Sequence, residues 1–148
     1  MWHVKSALIC EGVAPDSRGL LTLVGYEPGA VVVPAFPSQV APISVFLLEQ
    51  ALGDALPEAD TPVSVRTTVF APDGTVVFLN EVQQAISAGL RNPHLPFRLQ
   101  QAAQLAFIAQ KEGRYTVNVD LNIGGEQVRG ETGFAVLDAD MMREIAQP

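Results

Sequence analysis

The chain has 148 residues, 48% of them apolar and only 17% charged, with a net charge of −7. That length fits one domain, and a domain of this size buries roughly 70% of its unfolded surface, so it can hold a core without disulfide or metal staples. The apolar content does not support disorder. The nine basic residues, Lys5, Arg18, Arg66, Arg91, Arg98, Lys111, Arg114, Arg129 and Arg143, form no stripe, which argues against nucleic acid and against a membrane surface as partners.

Val4 to Ile9 reads as a first strand, and Pro15 to Gly19 as a turn. Leu20 to Val24 and Ala30 to Val33 read as two further strands, which together predict an early meander. Pro34-Ala35-Phe36-Pro37 lacks two N–H donors and cannot sit in a central ladder; it reads as an extended crossing from which Phe36 plugs the core. Ile43 to Leu48 is a nearly continuous apolar run, the pattern of a strand covered on both faces. Glu49 to Pro62 reads as an acidic loop or short helix.

Val63 to Phe70, the turn Ala71-Pro72-Asp73-Gly74 and the return Thr75 to Asn80 read as a hairpin, with proline presetting φ and glycine taking a positive φ. Val82 to Gly89 suits a helical turn or a continuing strand. Phe97, Leu99, Leu105 and Phe107 recur at strand spacing, and the polar run Gln100 to Gln104 interrupts them as a helical turn or bulge. After Gly113, Tyr115, Val117, Val119 and Leu121 alternate with Arg114, Thr116, Asn118 and Asp120, the period of a strand with one wet and one dry face. Gly124-Gly125 suits a hairpin turn. Glu126 to Leu137 returns, with Val128, Thr132, Phe134 and Val136 on one face and Arg129 and Glu131 on the other. Residues 138–148 read as a short tail of one or two helical turns.

Eight or nine short strands joined by turns predict an all-β single domain over residues 1–148. The expected form is a two-sheet antiparallel β-sandwich of immunoglobulin-like architecture with at most one or two short helices. A turn glycine, here Gly113, followed two residues later by Tyr115, is a common entry into a late strand of such a sandwich, where the tyrosine hydroxyl ties back to the backbone. Val117 stands where antibody-type domains place a cysteine, so the likeness is one of architecture.

The first fifty residues carry a further likeness. Val4 to Val13 leads into Gly19-Leu20-Leu21-Thr22-Leu23-Val24-Gly25, then Pro34-Ala35-Phe36-Pro37 and Ile43-Ser44-Val45-Phe46. This resembles DUF6941, a family of small bacterial β proteins, and the later Gly113-x-Tyr115 and final hairpin agree with it. Leu20 departs from the lysine that often follows the family's glycine. The resemblance implies a compact bacterial β protein and brings no activity, cofactor or catalytic residue.

Nothing in the sequence assembles a catalytic constellation. Cys10 is the one cysteine; it ends an apolar strand and reads as a buried structural thiol, with His3 roughly 23 Å along the same strand. His3 and His94 lack the spacing of a zinc site. No phosphate loop and no nucleophile elbow is present. Glu49, Asp54, Glu58, Asp60 and Asp73 could converge at one loop end to hold calcium, but the usual Asp-x-Asp-x-Asp-Gly spacing is absent.

The N-terminus has no apolar core followed by a cleavage site, and no run approaches the ~18 apolar residues of a membrane helix, so a cytoplasmic location is expected. The expected function is a non-enzymatic protein-binding or assembly module of a bacterial cytoplasmic system, without cofactor. It would form a homodimer or dock on another bacterial protein through a free β edge. The first strand, and the last through Arg129 and Glu131, are the expected seams. The alternative is small-molecule or calcium-type binding by Asp54, Glu58, Asp60 and Asp73.

Overall fold

A computed structural model describes residues 1–15, 17, 21–24, 29–86 and 94–140. Nearly all the regular structure of the described residues is strand, so the fold is all-β, with curled sheets. The strands are β1 (Trp2–Cys10), β2 (Gly12–Pro15), β3 (Leu21–Val24), β4 (Ala30–Val33), β5 (Ser38–Val40), β6 (Ile43–Gln50), β7 (Pro62–Phe70), β8 (Val76–Ala85), β9 (Arg98–Gln104), β10 (Phe107–Ala109), β11 (Gly113–Ile123) and β12 (Glu126–Asp138). They form a five-stranded sheet in the order β4-β12-β11-β7-β8, a three-stranded sheet β1-β6-β9, and the two-stranded ladders β10-β5 and β2-β3.

The central strand is β11. Its alternation buries Tyr115, Val117, Val119, Leu121 and Ile123, each 4% exposed or less. It pairs along its whole length with β12, Tyr115 opposite Phe134, and over Thr116 to Ile123 with β7. Phe46 and Leu48 from β6 join the same core as Val63, Val65 and Val69 from β7. An aromatic cluster caps it: Tyr115 stacks on Phe134 with centroids 5.9 Å apart, and Phe107 lies 5.4 Å from Tyr115. Such pairs contribute about 0.5–1.5 kcal/mol beyond their burial.

The sheets close on one side and open on the other. On the closed side β1 runs beside the first half of β12. There the Trp2 N–H donates to Glu126 Oε2 at 2.6 Å, and a Cβ on Gly130 would stand 2.5 Å from the Phe46 ring. Only a residue without a side chain lets β12 come so close to β6. On the open side the edge strands β8 and β9 flank a cleft.

Several expectations from the sequence need correction. The early strands are not a meander: β1 pairs with β6, β2 with β3, and β4 crosses to lie parallel to β12. That parallel pair breaks the all-antiparallel rule, and the Pro34–Pro37 crossing then carries the chain from this sheet to the β5–β10 ladder. The described strands number twelve, since short ladders such as β5–β10 fall below the length that alternation can reveal. Gln100 to Gln104 is neither helical turn nor bulge. It continues β9, whose outward positions Arg98, Gln100, Ala102 and Gln104 are exposed while Leu99 and Ala103 touch the core. An edge strand with a wet outer face can be this polar. The hairpin return does not stop at Asn80 but runs to Ala85. Residues 87–89 of the ambiguous stretch, and the tail beyond Asp140, lie outside the described residues. β4 pairs with β12 only from Ala135 to Asp138, so Arg129 and Glu131 lie outside that ladder, and Arg129 pairs with Asp120 within the chain.

Candidate functional site

The residues singled out in the sequence fall in separate places. Tyr115 is 1% exposed, and its hydroxyl donates to the Lys111 carbonyl at 2.7 Å. Gly113 has φ of 135°, and a Cβ there would meet Pro72 Cγ at 2.7 Å, so the start of β11 presses on the β7–β8 turn. Phe36 is half-buried and packs against the core. Cys10 is fully buried, and burial pushes its thiol pKa up.

The acidic residues do not converge. Asp54 accepts from the N-terminal ammonium at 2.6 Å, and Glu58 caps Thr61 through its carbonyl. Asp60 adopts a φ of 65° just before β7. Asp73 sits beyond the other end of β7, roughly 30 Å away along that strand. There it accepts from Lys111 at 2.7 Å, and its Oδ1 takes the Thr75 N–H at 3.0 Å and the Thr75 hydroxyl. Among the described residues no group of three or more His, Cys, Asp or Glu is placed to hold a metal ion. Glu49 is drawn to cations instead: Arg98 at 2.7 Å and Lys5 at 3.1 Å hold its carboxyl below the usual range.

The sheet pairings assemble something the sequence did not single out. Glu81 on β8 lies opposite Arg66 on β7, Arg66 opposite Asp120 on β11, and Asp120 opposite Arg129 on β12. The four side chains form one cross-strand row of alternating charge. Arg66 Nε donates to Glu81 at 2.5 Å and Arg129 Nε to Asp120 at 2.6 Å. The next row is neutral: Gln83, Ser64, Asn122 and Gln127. Both rows line an open depression of about 570 Å³ on the outer face of the five-stranded sheet. Opposite charges at directly facing positions stabilise a sheet by roughly 0.2–1 kcal/mol each, and mainly fix register when exposed.

The row ends on β8, and β8 ends the sheet. Among the described residues β8 pairs with β7 alone. Every residue from Leu79 to Ala85 is exposed, Leu79 at 59% and Val82 at 43%. Its two faces differ. Glu81 and Gln83 look onto the charged depression, while Asn80 and Val82 line the inner cleft of about 260 Å³ whose floor is Phe46, Val65 and Val119. Natural edge strands are usually blunted by lysine, proline, shortness or an inward charge. From Leu79 to Ala85, β8 has no lysine, no proline and no inward charge; its one charged residue, Glu81, faces the outer depression. Of the other edge strands, β1 carries Lys5 and β4 has four residues followed by Pro34, while β9 carries Arg98 at its first position. The signal in the sequence was the lack of Lys, Arg and Pro from Val76 to Ala85, which becomes informative only once β8 is known to be an edge.

No protein-family model matches the chain, and no curated protein matches it. Among solved structures it is similar to the crystal structure of the C-terminal domain of wzt, with a TM-score of 0.52 and 9% identity over 91% of this chain and 72% of that one. At that identity the likeness bears on the fold alone and agrees with a β-domain.

Proposed function

We propose that this chain is a non-enzymatic protein-binding module of a bacterial cytoplasmic system, which docks a strand of a second copy or of another protein along β8. The observation that carries this reading is the length of unprotected edge from Leu79 to Ala85, with Leu79 and Val82 exposed. A row of unpaired backbone donors and acceptors is a template for one more strand, and alternating side chains then set specificity. An immunoglobulin-like sandwich is the architecture we propose for it. The supports are the Tyr115 hydroxyl reaching back to the Lys111 carbonyl and the single core shared by the two larger sheets. The bacterial, cytoplasmic setting is supported by the likeness to DUF6941 and by a lone buried cysteine.

The test is to blunt the edge. Leu79→Lys and Val82→Lys introduce the charges that natural edges use, at exposed positions that leave the core intact. Binding of extended peptides and self-association are measured for both chains, by fluorescence anisotropy and by light scattering. The reading expects association in the native chain and its loss in the double variant, with an unchanged melting temperature. Association that the double variant retains in full would refute it.

A further inference from the structure

Resting on the β8 reading above, we infer that the strand docking there carries a lysine or arginine opposite Glu81, flanked on both sides by aliphatic residues, and is not a second copy of this chain. The charge row Glu81–Arg66–Asp120–Arg129 alternates across four strands and stops at an exposed carboxylate on the sheet edge. The next position in that row, on an incoming strand, favours a cation.

A second β8 cannot supply one. When two copies pair antiparallel about a two-fold axis, outward residues face outward residues. Glu81 then meets Leu79, Gln83, Ala85 or another Glu81, because β8 contains no lysine or arginine. The net charge of −7 adds repulsion between copies and attraction toward a basic segment.

The inner face sets the other half of the pattern. Residues flanking the cation point the opposite way, toward Asn80 and Val82 and the cleft floored by Phe46, Val65 and Val119. Phe46, Val65 and Val119 are 7% exposed or less, whereas Val82 is 43% exposed on the same face, so Val82 is the apolar side chain that an incoming aliphatic residue would cover. The recognised segment is therefore a short strand of aliphatic–cation–aliphatic pattern.

The probes are three nine-residue peptides alternating threonine and valine, with lysine, glutamine or glutamate at the centre. Anisotropy titrations are run on the full chain, on Glu81→Gln and on Glu81→Lys, with amide exchange of Leu79 to Ala85 as a site readout. The native chain is expected to bind the lysine peptide roughly tenfold tighter than the glutamate one. The glutamine variant is expected to lose most of that difference and the lysine variant to reverse it, with the β8 amides that face away from β7 protected only when peptide is bound. Equal binding of all three peptides with β8 protected would overturn the cationic partner and leave the edge reading standing. So would β8 protection arising from dimerisation alone. If neither peptide nor a second copy protects β8, both readings fall.

Discussion

Tyr115 joins the largest fully buried side chain of the core to one directional bond. Its hydroxyl donates to the Lys111 carbonyl at 2.7 Å, so Tyr115→Phe keeps the packing and leaves that acceptor without its donor. We expect a loss of about 1–2 kcal/mol, seen as a lower urea midpoint with an unchanged slope. Gly113 is constrained twice, by φ of 135° and by Pro72 at 2.7 Å from any added Cβ. Gly113→Ala should therefore cost about 1–3 kcal/mol, checked by the same denaturation. Cys10, buried and with its thiol pKa raised, should label slowly in the native chain and rapidly in urea. These residues were legible because their signals are local: a glycine two positions before a tyrosine, a thiol closing an apolar run. Arg66, Glu81, Asp120 and Arg129 were not, because what relates them is register between strands, which no local pattern encodes.

At the scale of elements, the β7–β8 turn is tied down by charge. Lys111, and then Thr75, hold the Asp73 carboxyl far below the ordinary aspartate range. In the unfolded chain an aspartate titrates near about 3.9. Between that value and the depressed native one the unfolded chain binds more protons, so stability falls as pH drops through this window. Above about pH 5 the contribution of Asp73 is complete. The difference in urea midpoint between the native chain and Asp73→Asn should stay constant from pH 7 to 5 and shrink below pH 4. A difference that persists unchanged to pH 2 would show that the turn does not depend on this charge. The sequence revealed this hairpin well at its turn and poorly at its far end. Proline, aspartate and glycine mark the turn chemically, whereas Glu81 to Ala85 alternate around an edge with no buried face strong enough to betray a strand. The same weakness hid β9, where four of seven residues are exposed.

For the whole molecule, the consequence of one sealed flank and one open flank is an asymmetry in assembly. Without a basic strand to bind, the chain should run as a monomer of 15.8 kDa in light scattering, with no rise in mass across micromolar concentrations. The all-β class was legible from the turn-punctuated alternation, while the parallel β4–β12 pair and the β1–β6 pairing were not, since both join segments far apart in the chain. That long-range closure also orders events during synthesis. The β7–β8 hairpin can form as soon as its own residues leave the ribosome, because its turn is local. The other side of β7 then waits for β11, and nothing later in the described chain ever pairs with β8. A nascent chain therefore displays two bare edges on one hairpin for as long as translation takes to reach β11 and fold it in. Translation rate over that interval, and the holdase supply that shields β7 meanwhile, should govern how much of the newly made protein stays soluble.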